Sequence, residues 1–427
     1  MIMDHQEMEL DVVGQYYSSI NTSKQSGVFA LVVALKEPVQ PQVLQQAADD
    51  LMRRLPFMNG RLKYGFFHYK YEILKDFAKI VPDNKEHLFS DYYNKGSRHM
   101  IRIVYGEKHF TVKTTHSICD GRGLSKFTKA LIVRYFELLG LEVDKSDIID
   151  CDGEFNPEEA EDAPKRFVSD LPRKAEGKLL EKEKKKPVKK EEEKSQKKEK
   201  IYQTKYSKSS PRQIATKSYN ADEIMRAANE YDVTVSEYIL GHIFCAVAKE
   251  RDDKGEKGKI IGDVPVDCRS FFPSKTLRSF VTSVDIVMPE EKDFSVMVKE
   301  MKEQFEGITK ESVYEQLYEY QKMYHSVRFV PRVIKALYMR IITRAEATEA
   351  STGLSNLGVM KLPAEIESRI ERMEFPIALE EDFPLFFSSV TVGNVLTLTA
   401  GFREEGRRIA HEVMRRLEKE PRQAEQS

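Results

Sequence analysis

The chain has 427 residues, of which 41% are hydrophobic and 32% are charged. This length exceeds what one hydrophobic core usually supports, so we expect two domains. The 68 basic and 69 acidic residues leave a net charge of −1, which excludes a general electrostatic affinity for nucleic acid.

The N-terminus indicates where the protein works. Residues 1–7 (MIMDHQE) are polar and acidic, whereas a secretory signal begins with basic and then apolar residues. No apolar run approaches the roughly 18–20 residues that span a bilayer, so we expect no integral membrane segment. The four cysteines show no zinc-type spacing and are expected to be reduced thiols. The sequence therefore favours a cytoplasmic protein without a metal site.

The first third of the chain alternates strand and helix patterns. Residues 28–35 (VFALVVAL) are apolar and rich in β-branched side chains, which predicts a buried strand. Apolar residues then recur every three or four positions over 44–55, which predicts a helix that Pro56 ends. Residues 100–116 predict a β-hairpin, and a second amphipathic helix is expected over 124–138.

A highly charged segment separates the two halves of the chain. Residues 181–200 (EKEKKKPVKKEEEKSQKKEK) contain ten lysines, six glutamates and no aromatic residue. Such a segment cannot bury enough apolar surface to offset the entropy lost on ordering. We expect a solvated, disordered linker over 150–205. A basic arm for nucleic acid is the alternative, which the interleaved glutamates weaken.

The second half repeats the pattern of the first. An extended stretch is expected near 212–218, further strand-like segments at 259–266, 280–288 and 386–401, and a last helix at 403–417. Strand and helix mixed in both halves indicate an α/β protein, α+β layered, with two similar subdomains.

The sequence also predicts the domain boundaries. The N-terminal subdomain is expected to span 1–149, and the C-terminal subdomain 206–427. The charged linker at 150–205 lies between them.

One segment carries residues suited to chemistry, namely 116–121 (HSICDG). On the preceding strand, Phe110, Val112 and Thr114 share a face with His116, because side chains alternate along a strand. His116 therefore lies at a strand end where a loop begins, and an imidazole there can accept a proton from a hydroxyl or an amine. Gly121 leaves room for a close approach of backbone or ligand.

This segment resembles the H-x-x-x-D-G signature of an acyltransferase superfamily. The superfamily includes chloramphenicol acetyltransferase, alcohol acetyltransferases, condensation domains of peptide synthetases and wax ester synthases. Residues 264–269 (VPVDCR) look like its strand-end segment, whose arginine pairs with the motif aspartate, and 355–358 (SNLG) is similar to its S-N-x-G segment. The resemblance covers roughly 10–145 and 205–420. It implies two chloramphenicol acetyltransferase-like subdomains with an active-site tunnel at their interface.

The resemblance also implies residue roles. His116 takes the proton of the acceptor as the acceptor attacks a thioester carbonyl. Asp120 points away from the substrate and pairs with Arg269, which fixes the loop that presents His116. Ser355 and Asn356 meet the developing oxyanion or line the channel.

The activity implied is transfer of an acyl group, expected to be acetyl, from a CoA or carrier-protein thioester to an alcohol or amine. The thioester is a co-substrate, and no permanently bound cofactor is implied. The partners would be a small-molecule donor and acceptor, or a carrier protein in place of CoA.

Two features depart from parts of the superfamily. The D-F-G-W-G segment of the plant branch is missing, and the chain contains no tryptophan. Asp267 stands where many relatives of the bacterial alcohol-acetyltransferase group carry asparagine. The plant branch is therefore disfavoured.

Several alternatives stay open. A binding or scaffold protein could keep the fold without turnover, and a condensation-like partner of a carrier protein is a third reading. Cys119 is a weak candidate nucleophile, because three residues along a loop do not make a thiolate–imidazole pair with His116. Four basic residues alternate with apolar ones over 332–344, which favours a solvent-facing helix. Contact of that helix with a membrane surface or an acyl-CoA phosphate is the alternative.

Overall fold

The computed structural model describes residues 7–21, 27–83, 99–169, 200–290, 293–347, 349–379 and 383–424. Its helices are α1 (Val12–Ile20), α2 (Pro41–Arg54), α3 (Gly121–Leu138), α4 (Ala163–Ser169), α5 (Ala221–Glu230), α6 (Val235–Asp253), α7 (Phe294–Glu306), α8 (Lys310–Ser326), α9 (Arg332–Ala347), α10 (Ala364–Glu367) and α11 (Arg407–Ala424). Its strands are β1 (Glu7–Glu9), β2 (Val28–Leu35), β3 (Gly60–Tyr64), β4 (Tyr69–Ile73), β5 (Val81–Pro82), β6 (Arg102–Tyr105), β7 (His109–Thr115), β8 (Arg212–Asn220), β9 (Ile261–Asp267), β10 (Val281–Val287), β11 (Thr352–Val359), β12 (Ile370–Glu374), β13 (Leu385–Val392) and β14 (Val395–Arg403). None of these helices is long and apolar enough to cross a bilayer.

The first large sheet carries the strand that leads to His116. Its strand order is β12-β2-β7-β6-β5. Strands β2 and β7 run antiparallel, with Val28 opposite Thr115 and Ala34 opposite His109. Seven of the eight residues of β2 are buried, as its continuous apolar run predicts. The apolar stripes of α2 and α3 join the same core, so β7 is held in a packed layer.

The second large sheet has the order β10-β9-β11-β13-β14-β8. Strand β11 pairs in parallel with both β9 and β13, and the remaining pairs are antiparallel. The strand-like stretch predicted at 386–401 is a hairpin of β13 and β14. Gly393 lies in its turn with a φ of +52°. Helices α5, α6 and α11 complete the core of this lobe.

A smaller sheet of β1, β4 and β3 flanks the first lobe. The turn between β3 and β4 extends to helix α9. There the backbone N–H of Arg332 donates to the carbonyl of Phe66 at 2.9 Å. This small sheet therefore ties the first lobe to a helix of the second half.

Strand β12 belongs to the first sheet although it comes from the second half of the chain. It pairs antiparallel with β2, and Met373 and Phe375 lie in the first core. Leu277, from the loop between β9 and β10, is buried in that core too. The subdomain boundaries 1–149 and 206–427 stay a prediction. The pairing of β12 with β2 could not be predicted, because strand pairing between distant segments leaves no local pattern in the sequence.

The predicted linker begins too early in the chain. Arg54 forms a two-bond ion pair with Glu159, at 2.7 and 3.0 Å, and Phe167 of α4 stacks on Phe280. Residues 150–169 are therefore folded against the protein, because they supply apolar side chains and a paired carboxylate. At the other end, Tyr202 is buried. Residues 170–199, with most of the charge run, lie outside the described residues.

Candidate active site

His116 directly follows β7, where the strand gives way to a loop. On β7, Phe110, Val112 and Thr114 lie on one face and are buried, and most side chains of the opposite face are buried too. The backbone N–H of His116 donates to the carbonyl of Gly27 at 3.1 Å. Its own carbonyl accepts a bond of 3.0 Å from the Ser279 hydroxyl. The backbone N–H of His116 is thus bonded to the first half of the chain, and its carbonyl to the second half.

The imidazole of His116 lies against two aromatic rings and is partly exposed. Its centroid lies 4.6 Å from the stacked ring of Tyr17 and 4.5 Å from that of Phe29. Nδ1 is buried and has no hydrogen bond partner among the described residues. Burial lowers the pKa of His116 to about 4, against the opposing charge of Asp120. The ring is therefore neutral at physiological pH and has a free lone pair, although burial makes it a weaker base than an exposed imidazole.

Asp120 uses both carboxylate oxygens inside the protein. Oδ1 caps helix α3 by accepting from the backbone N–H of Gly123 at 2.8 Å. Oδ2 accepts from Nη1 of Arg269 at 2.9 Å and from the backbone N–H of Phe280 at 2.8 Å. The carboxylate is buried and directed at the second half of the chain, so it holds the loop after His116 in place.

Arg269 lies in a 3-10 turn, Cys268–Ser270, directly after β9. Besides Asp120, its Nη1 donates to Asp267 at 2.8 Å. Its Nε donates to the carbonyl of Thr276 at 3.1 Å, and its Nη2 to that of Arg278 at 2.8 Å. One guanidinium therefore links the HSICDG loop, the end of β9 and the loop at 276–280.

Two glycines of the loop and of α3 allow close contacts with the second half. A Cβ on Gly121 would lie 2.7 Å from Cδ2 of Leu357, in the SNLG segment. A Cβ on Gly123 would overlap the carbonyl oxygen of Leu277. The start of α3 thus packs directly against β11 and against the loop that follows Arg269.

Ser355 and Asn356 lie on β11, next to this contact. The Asn356 side chain donates to the hydroxyl of Ser236 at 2.9 Å and accepts from the backbone N–H of Gly358 at 2.9 Å. The Asn356 amide is thus hydrogen-bonded to the start of α6 and to the backbone of Gly358, two residues further along the chain. Ser355 is half-buried, beside Ser388 of β13. No described contact joins Ser355 or Asn356 to His116.

A group of cations lies along α3 and near β11. It consists of Arg122, Lys126, Lys129 and Lys361. Burial, together with Arg269 and Arg122, lowers the pKa of Lys126, and burial with Arg122 lowers that of Lys129. Among the described residues, none of the four side chains has a hydrogen bond or an ion pair. We call this group the α3 cation cluster.

Sequence reasoning missed several residues that support the site. Arg278 pairs through Nε with Asp11 at 3.1 Å, and both side chains are buried. Burial raises the pKa of Asp11 to about 6, although Arg278 opposes the shift. Tyr17, Ser279 and Gly123 were missed too, because no motif marks them. Of these residues, only Asp11 could have been found from a sequence pattern, because it is the N-cap residue of helix α1.

Cys119 is not suited to act as a nucleophile. Its side chain is buried, and burial raises the pKa of its thiol. The reactive thiolate is therefore disfavoured, and the neutral thiol packs as a small apolar group.

Comparisons with known proteins identify the fold. No protein-family model matches the sequence, and neither does any curated protein. Polyketide synthase associated protein 5 from Mycobacterium tuberculosis superposes with a TM-score of 0.64 at 13% identity, covering 97% of each chain. The starter condensation domain of rhizomide synthetase, solved with C8-CoA and Leu-SNAC, gives 0.62 at 8% identity, covering 97% of this chain and 94% of that one.

Trichothecene 15-O-acetyltransferase from Fusarium sporotrichioides gives a TM-score of 0.60 at 12% identity, covering 96% of this chain and 94% of that one. The chain therefore has the mixed α/β, two-lobed fold shared by condensation domains and chloramphenicol acetyltransferase-like acyltransferases. The fold expected from the HSICDG motif is confirmed.

Proposed function

We propose that this protein is an acyltransferase with His116 as its general base. It transfers an acyl group, in the first place acetyl, from a CoA or carrier-protein thioester to an alcohol or amine. The observation that carries the proposal is the neutral imidazole of His116, partly exposed on a loop that Asp120 and Arg269 fasten. Similar solved structures include an acetyltransferase and condensation enzymes, which supports acyl transfer as the reaction class.

The proposed reaction needs one base and no covalent intermediate on the protein. Nε2 of His116 accepts the proton of the acceptor hydroxyl or amine while its oxygen or nitrogen bonds to the thioester carbon. When the tetrahedral intermediate collapses, the C–S bond breaks and the imidazolium returns the proton to the leaving thiolate. Asp120 and Arg269 act only by positioning. Because the Asn356 amide is engaged with Ser236, Ser355 is the better placed of the two to contact the oxyanion.

The α3 cation cluster supports a donor that carries phosphate. Like charges held close together lower one another's pKa, and an anion between them relieves the repulsion. CoA and carrier-bound phosphopantetheine both bring phosphate to a thioester site. Of the similar structures, the rhizomide synthetase domain was solved with C8-CoA, in line with such a donor.

The domain arrangement and location are part of the same proposal. The two subdomains, 1–149 and 206–427, would enclose a tunnel that leads to His116 at their interface. The protein would work in the cytoplasm with a small-molecule donor and acceptor, or with a carrier protein as donor.

The direct test is turnover. Purified full-length protein is incubated with acetyl-CoA and longer acyl-CoAs and a panel of alcohols and amines, and the release of free thiol is followed. We expect His116→Ala to lower turnover by about 10²- to 10⁴-fold, the usual contribution of a general base. His411→Ala, on an exposed position of α11, is the matched control and should leave turnover unchanged.

Equal activity of His116→Ala and parent would refute the role of His116. If the parent releases no thiol with any pair but still binds an acyl-CoA, the scaffold alternative replaces the proposal.

A further inference from the structure

Helix α9 exposes more apolar surface than is usual for a helix in water. Its inward face buries Ala336 and Met339, together with Lys335, whose Nζ donates to the carbonyl of Phe67 at 3.1 Å and lies over the ring of Tyr324. Its outward face carries exposed aliphatic side chains at Val333, Ile334, Leu337 and Ile341. A helix on a protein surface normally turns its apolar stripe to the core and its charges to solvent.

Two aromatic side chains extend this face beyond the helix. Phe329 precedes α9, and Phe66 lies in the turn that is hydrogen-bonded to Arg332. We define the α9 patch as Phe66, Phe329, Val333, Ile334, Leu337 and Ile341. Their exposed fractions range from 59% to 73%, so each side chain projects into solvent. Contiguous exposed apolar surface of this kind marks an interaction site on a protein.

The stretch of sequence that contains helix α9 carries charge of one sign. Between Glu319 and Glu346 the sequence contains six basic residues and no acidic residue. The exposed Arg328 stacks over the ring of Phe329 at 4.7 Å. Arg328, Arg332, Lys335 and Arg340 have no carboxylate partner in the described part of the chain. The patch therefore combines projecting apolar side chains with positive charge, of which the Arg328 guanidinium is the most exposed.

We propose that the α9 patch docks on the surface of an anionic lipid bilayer. The apolar side chains would enter the boundary between headgroups and acyl chains, while arginines at the edge of the patch, above all the exposed Arg328, meet the lipid phosphates. Projecting side chains fit this occupant, since a lipid surface adapts to them, whereas a globular partner must offer a matching groove. The docking is peripheral, because no helix of the described chain is long and apolar enough to span a membrane.

Helix α9 is connected to the candidate active site through α1. Helix α9 packs on α1, and the Tyr16 hydroxyl is 2.8 Å from that of Thr343. The next residue, Tyr17, stacks on His116. Tyr16 and Tyr17 thus link helix α9 to the imidazole of His116. The docking itself does not depend on acyl transfer.

The experiment is co-sedimentation of the full-length protein with vesicles. One set of vesicles is phosphatidylcholine alone, and the other is equal parts of phosphatidylcholine and phosphatidylglycerol. We expect binding to the second set, weakened by high salt because part of it is electrostatic. The double variant Val333→Glu, Leu337→Glu should lower partitioning by about ten-fold or more, since it replaces apolar insertion with like charge.

The control is Met225→Glu, which places a charge on an exposed apolar position of α5 in the other lobe. It should bind vesicles as the parent does, and so should His116→Ala, which separates this inference from the proposed enzymatic function. Equal binding by the double variant and the parent, or no binding by the parent, overturns the proposal. If the parent self-associates, the double variant does not, and neither sediments with vesicles, the patch is an interface between copies of this chain.

Discussion

At the scale of single residues, the site depends on the contrast between His116 and Asp120. The imidazole is packed against two aromatic rings without a partner on Nδ1, so the charged form is disfavoured. The carboxylate four residues on is fully hydrogen-bonded and ion-paired, so its charge is compensated. The same loop therefore holds one imidazole without a partner on Nδ1 and one carboxylate that is fully engaged with the rest of the protein.

The pH dependence of turnover follows from the lowered pKa of His116. Since that pKa is about 4, the ring stays unprotonated from neutral pH down to about pH 4. We expect kcat/KM to be level through pH 5 and to fall only near pH 4. An acid limb near the ordinary pKa of about 6.5 would contradict a buried base. Circular dichroism across the same range separates this limb from acid unfolding.

The lowered pKa of His116 also makes the stability of the fold depend on pH. Between the unfolded pKa of about 6.5 and the folded value of about 4, the unfolded chain binds a proton at this histidine and the folded chain does not. The contribution of His116 to folding is therefore favourable above pH 6.5 and is lost as the pH falls toward 4.

Arg269→Ala should destabilise the protein and misplace His116. It leaves the buried carboxylate of Asp120 without its cation, and breaking a buried pair costs about 3–5 kcal/mol. We expect a lower free energy of unfolding in urea and reduced turnover, and Asp120→Asn should act in the same direction. Arg53→Ala removes a largely exposed partner of Asp50 and should cost about 0–1 kcal/mol. Parent-like melting with intact turnover in Arg269→Ala would rule out the positioning role.

At the scale of elements, helix α3 has several functions in the site. Its N-cap is Asp120, its first turn packs on Leu277 and Leu357 through glycines, and it carries three of the four residues of the α3 cation cluster. One helix thus fastens the HSICDG loop and presents positive charge beside it.

The double variant Lys126→Ala, Lys129→Ala tests the cations of α3. If they bind donor phosphate, KM for acyl-CoA should rise by about ten-fold, as expected for loss of charge-assisted hydrogen bonds. KM for an acyl-N-acetylcysteamine thioester, which lacks phosphate, should not change. Lys249→Ala, an exposed lysine of α6 that pairs with Asp253, is the control. An equal rise of KM for both thioesters would show that the lysines shape the site in general and do not bind phosphate.

At the scale of the whole molecule, the two lobes are interlaced. Strand β12 of the second half completes the first sheet, and the loop at 276–280 crosses to the HSICDG loop. Residues 150–169 bridge the halves as well, through Phe167 against Phe272 and Phe280. The lobes are therefore expected to unfold together, unlike two independent domains on a flexible linker.

Met373→Ala tests this coupling. Met373 lies on β12 and is fully buried in the first core, so its truncation should cost about 2–5 kcal/mol. We expect calorimetry to show a single transition for the parent and a single, lower one for the variant. Two transitions, of which only one responds to the substitution, would show that the lobes unfold separately.

The sequence by itself determined several local elements and supplied the candidate site. The bounds of β2 are those of its apolar run, α2 ends two residues before Pro56, and the HSICDG motif led to His116 as a candidate base, which stays a prediction. Tertiary structure alone decided the pairing of β12 with β2, the Gly123–Leu277 contact, the aromatic packing on His116 and the outward apolar face of α9. These depend on segments that are distant along the chain, and neither periodicity nor a motif records which of them meet when the chain folds.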